Sequence, residues 1–247
     1  LHSATLVKAG VFLLARLFPA LSGTPEWSML VGGVGLTTLL IGAFIALFQH
    51  DLKGLLAYST ISHLGLITLL FGIGTPLAAV AGVFHIINHA TFKASLFMAA
   101  GIIDHETGSR DMRRINGLWK FMPHTAVLAM VASAAMAGVP LLNGFLSKEM
   151  FFAEAVGVTT QLRFGWLLPA AVTIAGIFAV AYSLRFTHDV FFNGEPINLP
   201  KTPHEPPRWM KVPVEILVAL CLLVGIFPAL TVEPILAVAS IGVLQGP

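Results

Sequence analysis

The chain has 247 residues, of which 56% are hydrophobic and only 11% are charged, and its mean hydropathy is +0.86. Ordinary soluble domains carry about 25% charged residues, and surface-to-volume scaling prevents one soluble core of this size from hiding so large an apolar excess. The composition therefore excludes an ordinary soluble domain and predicts a polytopic membrane protein. The net charge of +2 is small and its basic residues group in loops, which excludes nucleic acid as a partner.

The hydropathy pattern predicts an all-α fold with seven to eight transmembrane helices, at about 20 apolar residues per crossing. In chain order the predicted spans are 2–18, 28–48, 55–74, 77–103, 123–157, 165–192, 213–229 and a short last piece at 232–244. The fifth is too long for one crossing and is interrupted at Gly138 to Pro140 and at Asn143-Gly144, which predicts one broken helix. Since Leu1 already opens a membrane segment, we expect the natural start of the chain to lie upstream.

The loops fall into two sets that differ in their content of lysine and arginine. If 123–157 crosses the membrane once, the basic loops all lie on one side; they are 49–54, 104–122 and 193–212. The opposite turns hold little beyond Arg16 and Arg163. Because lysine and arginine in short loops face the cytoplasm, the three basic loops are predicted to be cytoplasmic.

Three ionisable residues recur at intervals of four inside the fourth predicted span: His85, His89 and Lys93. On an α-helix they lie along one stripe, with successive groups about 6 Å apart along the axis. Such groups are costly in lipid and usually serve a function, so the stripe predicts a path for protons. The alternative is that each histidine only hydrogen-bonds a backbone carbonyl. A zinc site is a weaker alternative, because no nearby cysteine or carboxylate completes a ligand set.

Two further lysines lie inside predicted spans. Lys8 occurs at a depth that costs about 2.5–3.5 kcal/mol on insertion scales, unless its side chain reaches the nearer interface. Lys148 follows the break in the fifth span, and irregular backbone at this depth is tolerated only inside protein or beside a hydrated cavity. Because broken helices of this kind mark ion paths in transporters, Lys148 is a second candidate for proton transfer. Glu149 either pairs with Lys148 or points elsewhere, since adjacent helical residues diverge by about 100°.

Two residues are candidates for accessory roles. His63, in the third span, either extends the hydrated zone or is a structural histidine. Lys53, at the cytoplasmic mouth of the same span, either takes up protons or anchors the loop under the positive-inside rule. No coenzyme motif, phosphate loop or cysteine cluster occurs, so we expect no cofactor and no metal.

Four segments resemble the antiporter-like membrane subunits that respiratory complex I shares with the multisubunit Mrp sodium/proton antiporters. The segments are 2–10, 51–60, 85–97 and 144–149. The loop at 104–114 is similar to that of the large A subunit of the Mrp antiporters. The resemblance covers most of residues 1–150, whereas the tail beyond residue 195 matches only in hydropathy.

The resemblance implies that residues 1–192 form the second half of an antiporter-like domain built from inverted repeats. A Pro-rich linker (193–212) and additional transmembrane helices (213–247) follow. The resemblance also implies that Lys148 is the broken-helix lysine of the second repeat. It implies further that a central hydrophilic axis joins the two half-channels, with Lys8, His85, His89 and Lys93 as its members in this sequence. The first repeat, with its own glutamate and lysine, has no counterpart in this sequence, so the chain alone is not expected to form the full pathway.

The leading hypothesis is a subunit of a multisubunit cation/proton antiporter, which is a secondary transporter rather than an enzyme and couples proton movement to export of Na⁺. We expect it in a bacterial plasma membrane, beside other membrane subunits of the same complex. The alternative is a proton-pumping subunit of respiratory complex I or a membrane-bound hydrogenase, in which electron transfer elsewhere supplies the energy. A third hypothesis is a structural membrane scaffold in which the lysines pair statically.

Overall fold

The computed structural model describes residues 5–158 and 165–245, and the regular elements within them are helices. A 3₁₀ turn, Leu6–Lys8, precedes the first α-helix, and a π-helical stretch, Ser28–Gly32, lies within the second. The helices in chain order are α1 (Ala9–Leu21), α2 (Pro25–Phe48), α3 (Leu52–Ile73), α4 (Pro76–Thr107), α5 (Pro123–Ala137), α6 (Asn143–Gly157), α7 (Leu167–Phe191), α8 (Arg208–Ile226) and α9 (Glu233–Leu244). The first residues of the first predicted span and Arg163 lie outside the described residues.

Within the described residues, five helices are long and apolar enough to cross a membrane: α2, α3, α4, α7 and α8. The helices α5 and α6, of 15 residues each, are too short to cross separately, but together they occupy the interrupted fifth span. The expectation of an all-α chain with one broken helix is confirmed.

Side-chain caps determine where α3 and α4 begin. Asp51 Oδ1 accepts a hydrogen bond from the backbone N–H of Gly54 at 2.7 Å. At the start of α4, Thr75 Oγ1 accepts from the backbone N–H of Ala78 at 3.1 Å, and Pro76 occupies the first turn, where its missing N–H is not needed. From this start α4 continues for 32 residues and carries the histidine–lysine stripe into the middle of the bundle.

The break between α5 and α6 is stabilised by two very close backbone contacts. Gly138 ends α5 with a φ of 89°, and Leu141 also has a positive φ, of 70°. A Cβ atom at Gly144 would lie only 1.9 Å from the carbonyl oxygen of Ala135. On the other side of the break, a Cβ atom at Gly225 of α8 would lie 2.3 Å from the carbonyl oxygen of Leu141. Any larger residue would overlap these backbone atoms, so glycine is required at both positions.

One end of the bundle, which we call the loop face, carries the segments that precede α3 and follow α4. An antiparallel backbone bridge joins Asp51 to Asp111, and Arg110 Nε lies 2.6 Å from Asp51 Oδ2. Lys53 Nζ lies 2.6 Å from Asp104 Oδ2 and so connects the first turn of α3 to the last turns of α4. These contacts gather the charged residues of both loops at one end of the molecule.

The Pro-rich linker between α7 and α8, residues 192–207, crosses the loop face and contacts the ends of two helices. The backbone N–H of Lys201 donates to the carbonyl oxygen of the last residue of α4 at 3.2 Å. Glu205 accepts hydrogen bonds from the backbone N–H groups of His124 and Thr125, in the first turn of α5. The linker therefore fastens α4 and the first half of the broken helix to each other.

Candidate functional site

Polar side chains from α3, α4, α6 and α7 meet in the interior of the bundle, and we call this set the polar core. Its members are buried although they are ionisable, amidic or hydroxylic. They are Ser59, Ser62, His63, His85, Asn88, His89, Lys93, Asn143, Ser147, Lys148, Tyr182 and Ser183. Burial of a polar group is unfavourable unless the group is hydrogen-bonded, so the partners of each side chain indicate what the polar core can do.

Lys93 is fully buried, and its amine is held by uncharged acceptors. Its Nζ donates to the carbonyl oxygen of Leu56 at 3.2 Å and to the hydroxyl of Ser59, both on α3. The same nitrogen lies 3.2 Å from the sulfur of Met136 on α5, and a thioether is a weak acceptor. Because these acceptors carry no negative charge, they do not stabilise the protonated amine as strongly as a carboxylate would.

Lys148 lies on α6 but reaches back across the break to α5. Its Nζ donates to the carbonyl oxygen of Met136 at 2.8 Å and to that of Ala137 at 3.0 Å. These two carbonyls belong to the last turn of α5, where a helix has no further N–H partners and carries a partial negative charge. The break therefore creates an ammonium-binding site within a membrane-depth segment.

Met136 lies between the two lysines. Its sulfur contacts Lys93, and its carbonyl oxygen accepts from Lys148. Both atoms are acceptors only and carry no hydrogen that they could pass on. The amines of Lys93 and Lys148 therefore contact the same residue, but Met136 cannot pass a proton from one to the other.

A hydrogen-bonded chain of four side chains crosses the polar core from α6 to α7. Ser147 Oγ lies 2.9 Å from His85 Nδ1, and His85 Nε2 lies 2.9 Å from His63 Nδ1. His63 Nε2 lies 3.3 Å from the phenol oxygen of Tyr182. Both histidines engage both ring nitrogens, so each can accept a proton at one nitrogen and release one from the other.

The other two members of the predicted axis lie beside this chain. His89 is buried, and its ring centroid lies 5.2 Å from that of His63 and 5.4 Å from that of Phe92. Neither ring nitrogen of His89 has a hydrogen-bond partner within the described part of the chain. Lys8 is buried in the turn that precedes α1. His85, His89 and Lys93 thus lie together in the polar core, but the hydrogen bonds of His85 and Lys93 go to other residues and not to one another.

The predicted accessory residues other than His63 have separate surroundings. Lys53 is about one-third exposed and pairs with Asp104 at the loop face, and about 9 Å of helix separates it from Ser59 in the polar core. Glu149 is exposed and lines, together with Lys148, a cavity of about 1020 Å³ between α6 and α7. Although both residues line this cavity, the Nζ of Lys148 donates its hydrogen bonds to carbonyl oxygens of α5.

Among the residues that the sequence did not single out, Ser59, Met136 and Tyr182 make direct contacts with the lysines or histidines of the site. Tyr182 had a signal that could have found it, because it is one of only two tyrosines in the chain and lies inside a predicted span. Ser59 and Met136 had none, because serine and methionine are ordinary packing residues in membrane helices.

The chemistry of the polar core is that of amines, imidazoles and hydroxyls. Among residues 5–158 and 165–245, no group of three or more histidine, cysteine or carboxylate side chains is arranged to hold a metal ion. Amines, imidazoles and hydroxyls can all exchange a proton without any other bond changing. The arrangement is therefore suited to moving protons between helices inside an apolar bundle.

A broken helix and buried ionisable side chains, set among helices of membrane-spanning length, are features typical of membrane proteins that translocate ions. Comparison with known families specifies the class further. The family described as NADH:quinone oxidoreductase/Mrp antiporter, TM, matches residues 1–177. The chain belongs to this family and is a multi-pass membrane protein. The resemblance expected from the sequence motifs is confirmed.

Individual relatives match nearly the whole chain. It is 67% identical, over 99% of its length, to the probable K⁺/H⁺ antiporter A/B subunit of Rhizobium meliloti (strain 1021), of which it covers 24%. It is 44% identical, over 92% of its length, to the Na⁺/H⁺ antiporter A subunit of Bacillus subtilis (strain 168), of which it covers 31%. A chain of the Mrp complex from Dietzia sp. DQ12-45-1b matches 98% of it at 39% identity, with a TM-score of 0.87, and the match covers 26% of that chain. The sequence thus spans about a quarter to a third of the length of these relatives.

Proposed function

We propose that the chain is part of one subunit of a multisubunit cation/proton antiporter, which exchanges a monovalent cation for protons. Sodium is the leading candidate for this cation. The chain is a component of a secondary transporter and not an enzyme. The proposed proton path consists of Lys8, His85, His89, Lys93 and Lys148, with accessory positions at Lys53, His63 and Glu149.

The observation that carries this proposal is the pair of buried lysines held by neutral acceptors on either side of Met136. The hydrogen bonds of Lys93 and Lys148 go to carbonyl and hydroxyl oxygens rather than to carboxylates. A permanent charge at this depth is costly, whereas an amine that alternates between its charged and neutral forms fits such acceptors. Because two nearby ammonium groups repel each other, a proton arriving at one lysine favours release of a proton from the other.

The names of the relatives support two candidate cations. The relative from B. subtilis is named for Na⁺, and the relative from R. meliloti, which shares 67% identity with this chain, is named for K⁺. Potassium is therefore the second candidate, and the experiment below includes both ions.

We further propose that the protein lies in a bacterial plasma membrane beside other membrane subunits, with its loop face toward the cytoplasm. The basic residues of the loop face support this orientation, since short cytoplasmic loops are rich in lysine and arginine. The names of the relatives, which are subunits, support a complex of several different chains. Within the chain, 1–192 is proposed as the second half of an antiporter-like domain, 193–212 as a linker and 213–247 as additional helices.

The test uses the complete complex in everted membrane vesicles from cells that lack other cation/proton antiporters. Lys93→Met keeps most of the side-chain length but removes the amine. We expect cation-dependent proton release to fall by about a hundredfold or more, as on loss of a positioned proton-transfer group, while the complex still assembles. Parallel measurements with Na⁺ and K⁺ identify the transported cation.

Lys120→Met is the matched control, because Lys120 is exposed at the loop face, 3.3 Å from Glu195. We expect this variant to transport at the normal rate. If assembled Lys93→Met and Lys148→Ala complexes both transport normally, the lysines serve a static scaffold. If proton movement requires an electron donor such as NADH instead of a cation, the redox-driven alternative holds.

A further inference from the structure

Tyr182 ends the hydrogen-bonded chain on α7, and the proton path proposed above does not include it. Its phenol is fully buried and lies 3.3 Å from His63 Nε2. A phenol both donates and accepts hydrogen bonds, so it can receive a proton at its oxygen while releasing its own. Tyr182 is therefore able to continue the chain beyond His63.

A small cavity lies next to Tyr182, between α3, α6 and α7. Its volume is about 20 Å³, which exceeds the roughly 10–15 Å³ that one water molecule requires. Its walls include Ser62, His63, Lys148 and Tyr182. Because four of the residues around this space carry polar side chains, it is a candidate site for a buried water molecule, which needs polar partners.

The contact that Lys148 and Lys93 share through Met136 does not transfer protons. Met136 touches both amines, but its carbonyl oxygen and sulfur have no proton to give. Exchange between Lys148 and the histidine–lysine stripe therefore needs a different route. The cavity beside Tyr182 contacts both Lys148 and the end of the histidine chain, so it offers that route.

The hydrogen bonds of the chain have two self-consistent directions when both histidines are neutral. In one, every group from Tyr182 onward donates toward Ser147, and in the other every bond is reversed. Passage of one proton along the chain converts the first direction into the second. The chain is therefore able to work as a proton wire, provided that its two ends exchange protons with their neighbours.

We propose that Tyr182 is a proton-transfer residue that connects Lys148 to the histidine pair through water in this cavity. The ammonium group of Lys148 gives a proton to the water, the water gives one to the phenol oxygen, and the phenol gives its own to His63 Nε2. One N–H bond breaks at Lys148 and one forms on the histidine, so a single positive charge moves and every intermediate carrier is restored. We call this route from Lys148 through water and Tyr182 to His63 the branch. It rests on the proposed function, since it serves the same proton movement.

The test compares the two tyrosines of the chain in the complete complex. Tyr182→Phe removes only the hydroxyl, and we expect it to slow cation-dependent proton transport on the order of a hundredfold. Tyr58→Phe is the matched control, because Tyr58 is partly buried on α3, where it packs against the hydrophobic core. We expect the control to assemble and transport as the unaltered complex does.

Two further variants separate proton transfer from a structural effect. If Tyr182 and His63 belong to one branch, Tyr182→Phe combined with His63→Gln transports no more slowly than the slower single variant, whereas independent structural roles give losses that multiply. Ala175→Val fills the cavity from α7 with apolar atoms and removes no polar group, so we expect an assembled complex to show the loss seen with Tyr182→Phe.

The outcomes distinguish this branch from the function on which it rests. Normal transport by Tyr182→Phe overturns the branch, and if Lys93→Met still blocks transport the proposed function remains. Multiplying losses in the double variant, or normal transport by an assembled Ala175→Val complex, also overturn the branch. If Tyr182→Phe, Lys93→Met and Lys148→Ala all transport normally, the branch fails together with the lysine path on which it rests.

Discussion

Lys93 and Lys148 are both stabilised without a carboxylate, but their acceptors differ in origin. Lys93 uses a serine hydroxyl and a carbonyl of α3. Lys148 uses two carbonyls that an unbroken helix would bond internally. The position of Lys148 therefore depends on the geometry of the break, whereas that of Lys93 depends on how α3 and α4 pack together.

Substitution of Gly144 tests this dependence on the break. An alanine Cβ at this position would lie 1.9 Å from the carbonyl oxygen of Ala135, so α5 and α6 must move apart and the carbonyl partners of Lys148 must shift. We expect Gly144→Ala to lower the free energy of unfolding by about 1–3 kcal/mol and to lower transport with it. Thermal denaturation of the solubilised complex and transport in vesicles measure the two effects.

Gly101→Ala is the control for this substitution. Gly101 lies on α4, and nothing lies within 4 Å of an added Cβ atom. Because alanine is favoured over glycine inside a helix by about 0.5–1 kcal/mol, the control is expected to be at least as stable as the unaltered protein. Equal stability of the two variants would contradict the close contact at the break.

Part of the site could be predicted from the sequence because it depends on local spacing. An interval of four placed the histidine–lysine stripe on one face of a helix, and the Gly-rich interruption drew attention to Lys148. The partner of His63 could not be predicted, because Tyr182 lies 119 residues further along the chain and the two meet only through the packing of α3 and α7. His89 shows the same limit: its spacing is that of the stripe, yet it packs between aromatic rings.

Among the elements, the linker between α7 and α8 supplies a cap that α5 lacks locally. Met122, which precedes α5, makes no side-chain cap hydrogen bond. The carboxylate of Glu205 instead accepts from the backbone N–H groups of His124 at 3.2 Å and Thr125 at 3.1 Å. A carboxylate at this end also interacts favourably with the helix dipole. The linker thus holds the helix whose opposite end binds Lys148.

The protonation of Glu205 gives this cap a dependence on pH. Partial burial raises the pKa of Glu205, but hydrogen bonds from Thr125 and His124 and the charge of Lys211 outweigh it and hold the pKa below its ordinary value of 4.5. A carboxyl group of this kind stabilises the fold above its ordinary pKa and loses that contribution as the pH falls through the lowered value. We expect Glu205→Gln to lower the free energy of unfolding by about 1 kcal/mol at neutral pH, and the difference to shrink in acid. Thermal denaturation over a pH series measures it.

Glu195→Gln is the control on the same linker. Glu195 is 81% exposed and forms an ion pair with Lys120, and exposed pairs of this kind contribute little to stability. We expect this variant to unfold like the unaltered protein at every pH. Equal effects of the two substitutions, or an effect of Glu205→Gln that does not change with pH, would contradict the cap.

Most helix boundaries could be predicted within a few residues because apolar length is a local property. The start of α8 is an exception. The apolar run in the sequence predicts a span that begins at 213. The structure instead begins α8 at Arg208 and places Pro213 in the second turn, so the last five residues of the expected linker, 208–212, are helical.

At the scale of the whole molecule, the basic residues of the loops and of the first turn of α8 collect on one face. In the described part of the chain these are Lys53, Arg110, Arg113, Arg114, Lys120, Lys201, Arg208 and Lys211. The turn between α1 and α2, which contains Gly23, lies at the opposite end, because α2 returns from it to the loop face. The distribution of charge supports the proposal that the loop face is turned toward the cytoplasm.

Cysteine labelling tests this orientation. The single native cysteine, Cys221, is buried and gives a low background. We expect a membrane-impermeant maleimide to label Gly23→Cys in intact cells, and to label Glu195→Cys only after the cells are permeabilised, because both positions are exposed but at opposite ends. The reverse pattern would place the loop face outside the cell.

The close contact between Gly225 and the carbonyl oxygen of Leu141 limits where the chain can be truncated without loss of the bend between α5 and α6. The family match ends at residue 177, and α8 follows only after the Pro-rich linker. The break that positions Lys148 nevertheless packs against the backbone of α8 at Gly225. The stretch that the family model matches and the stretch that keeps the bend in shape therefore have different ends, and a fragment that keeps the bend must include α8.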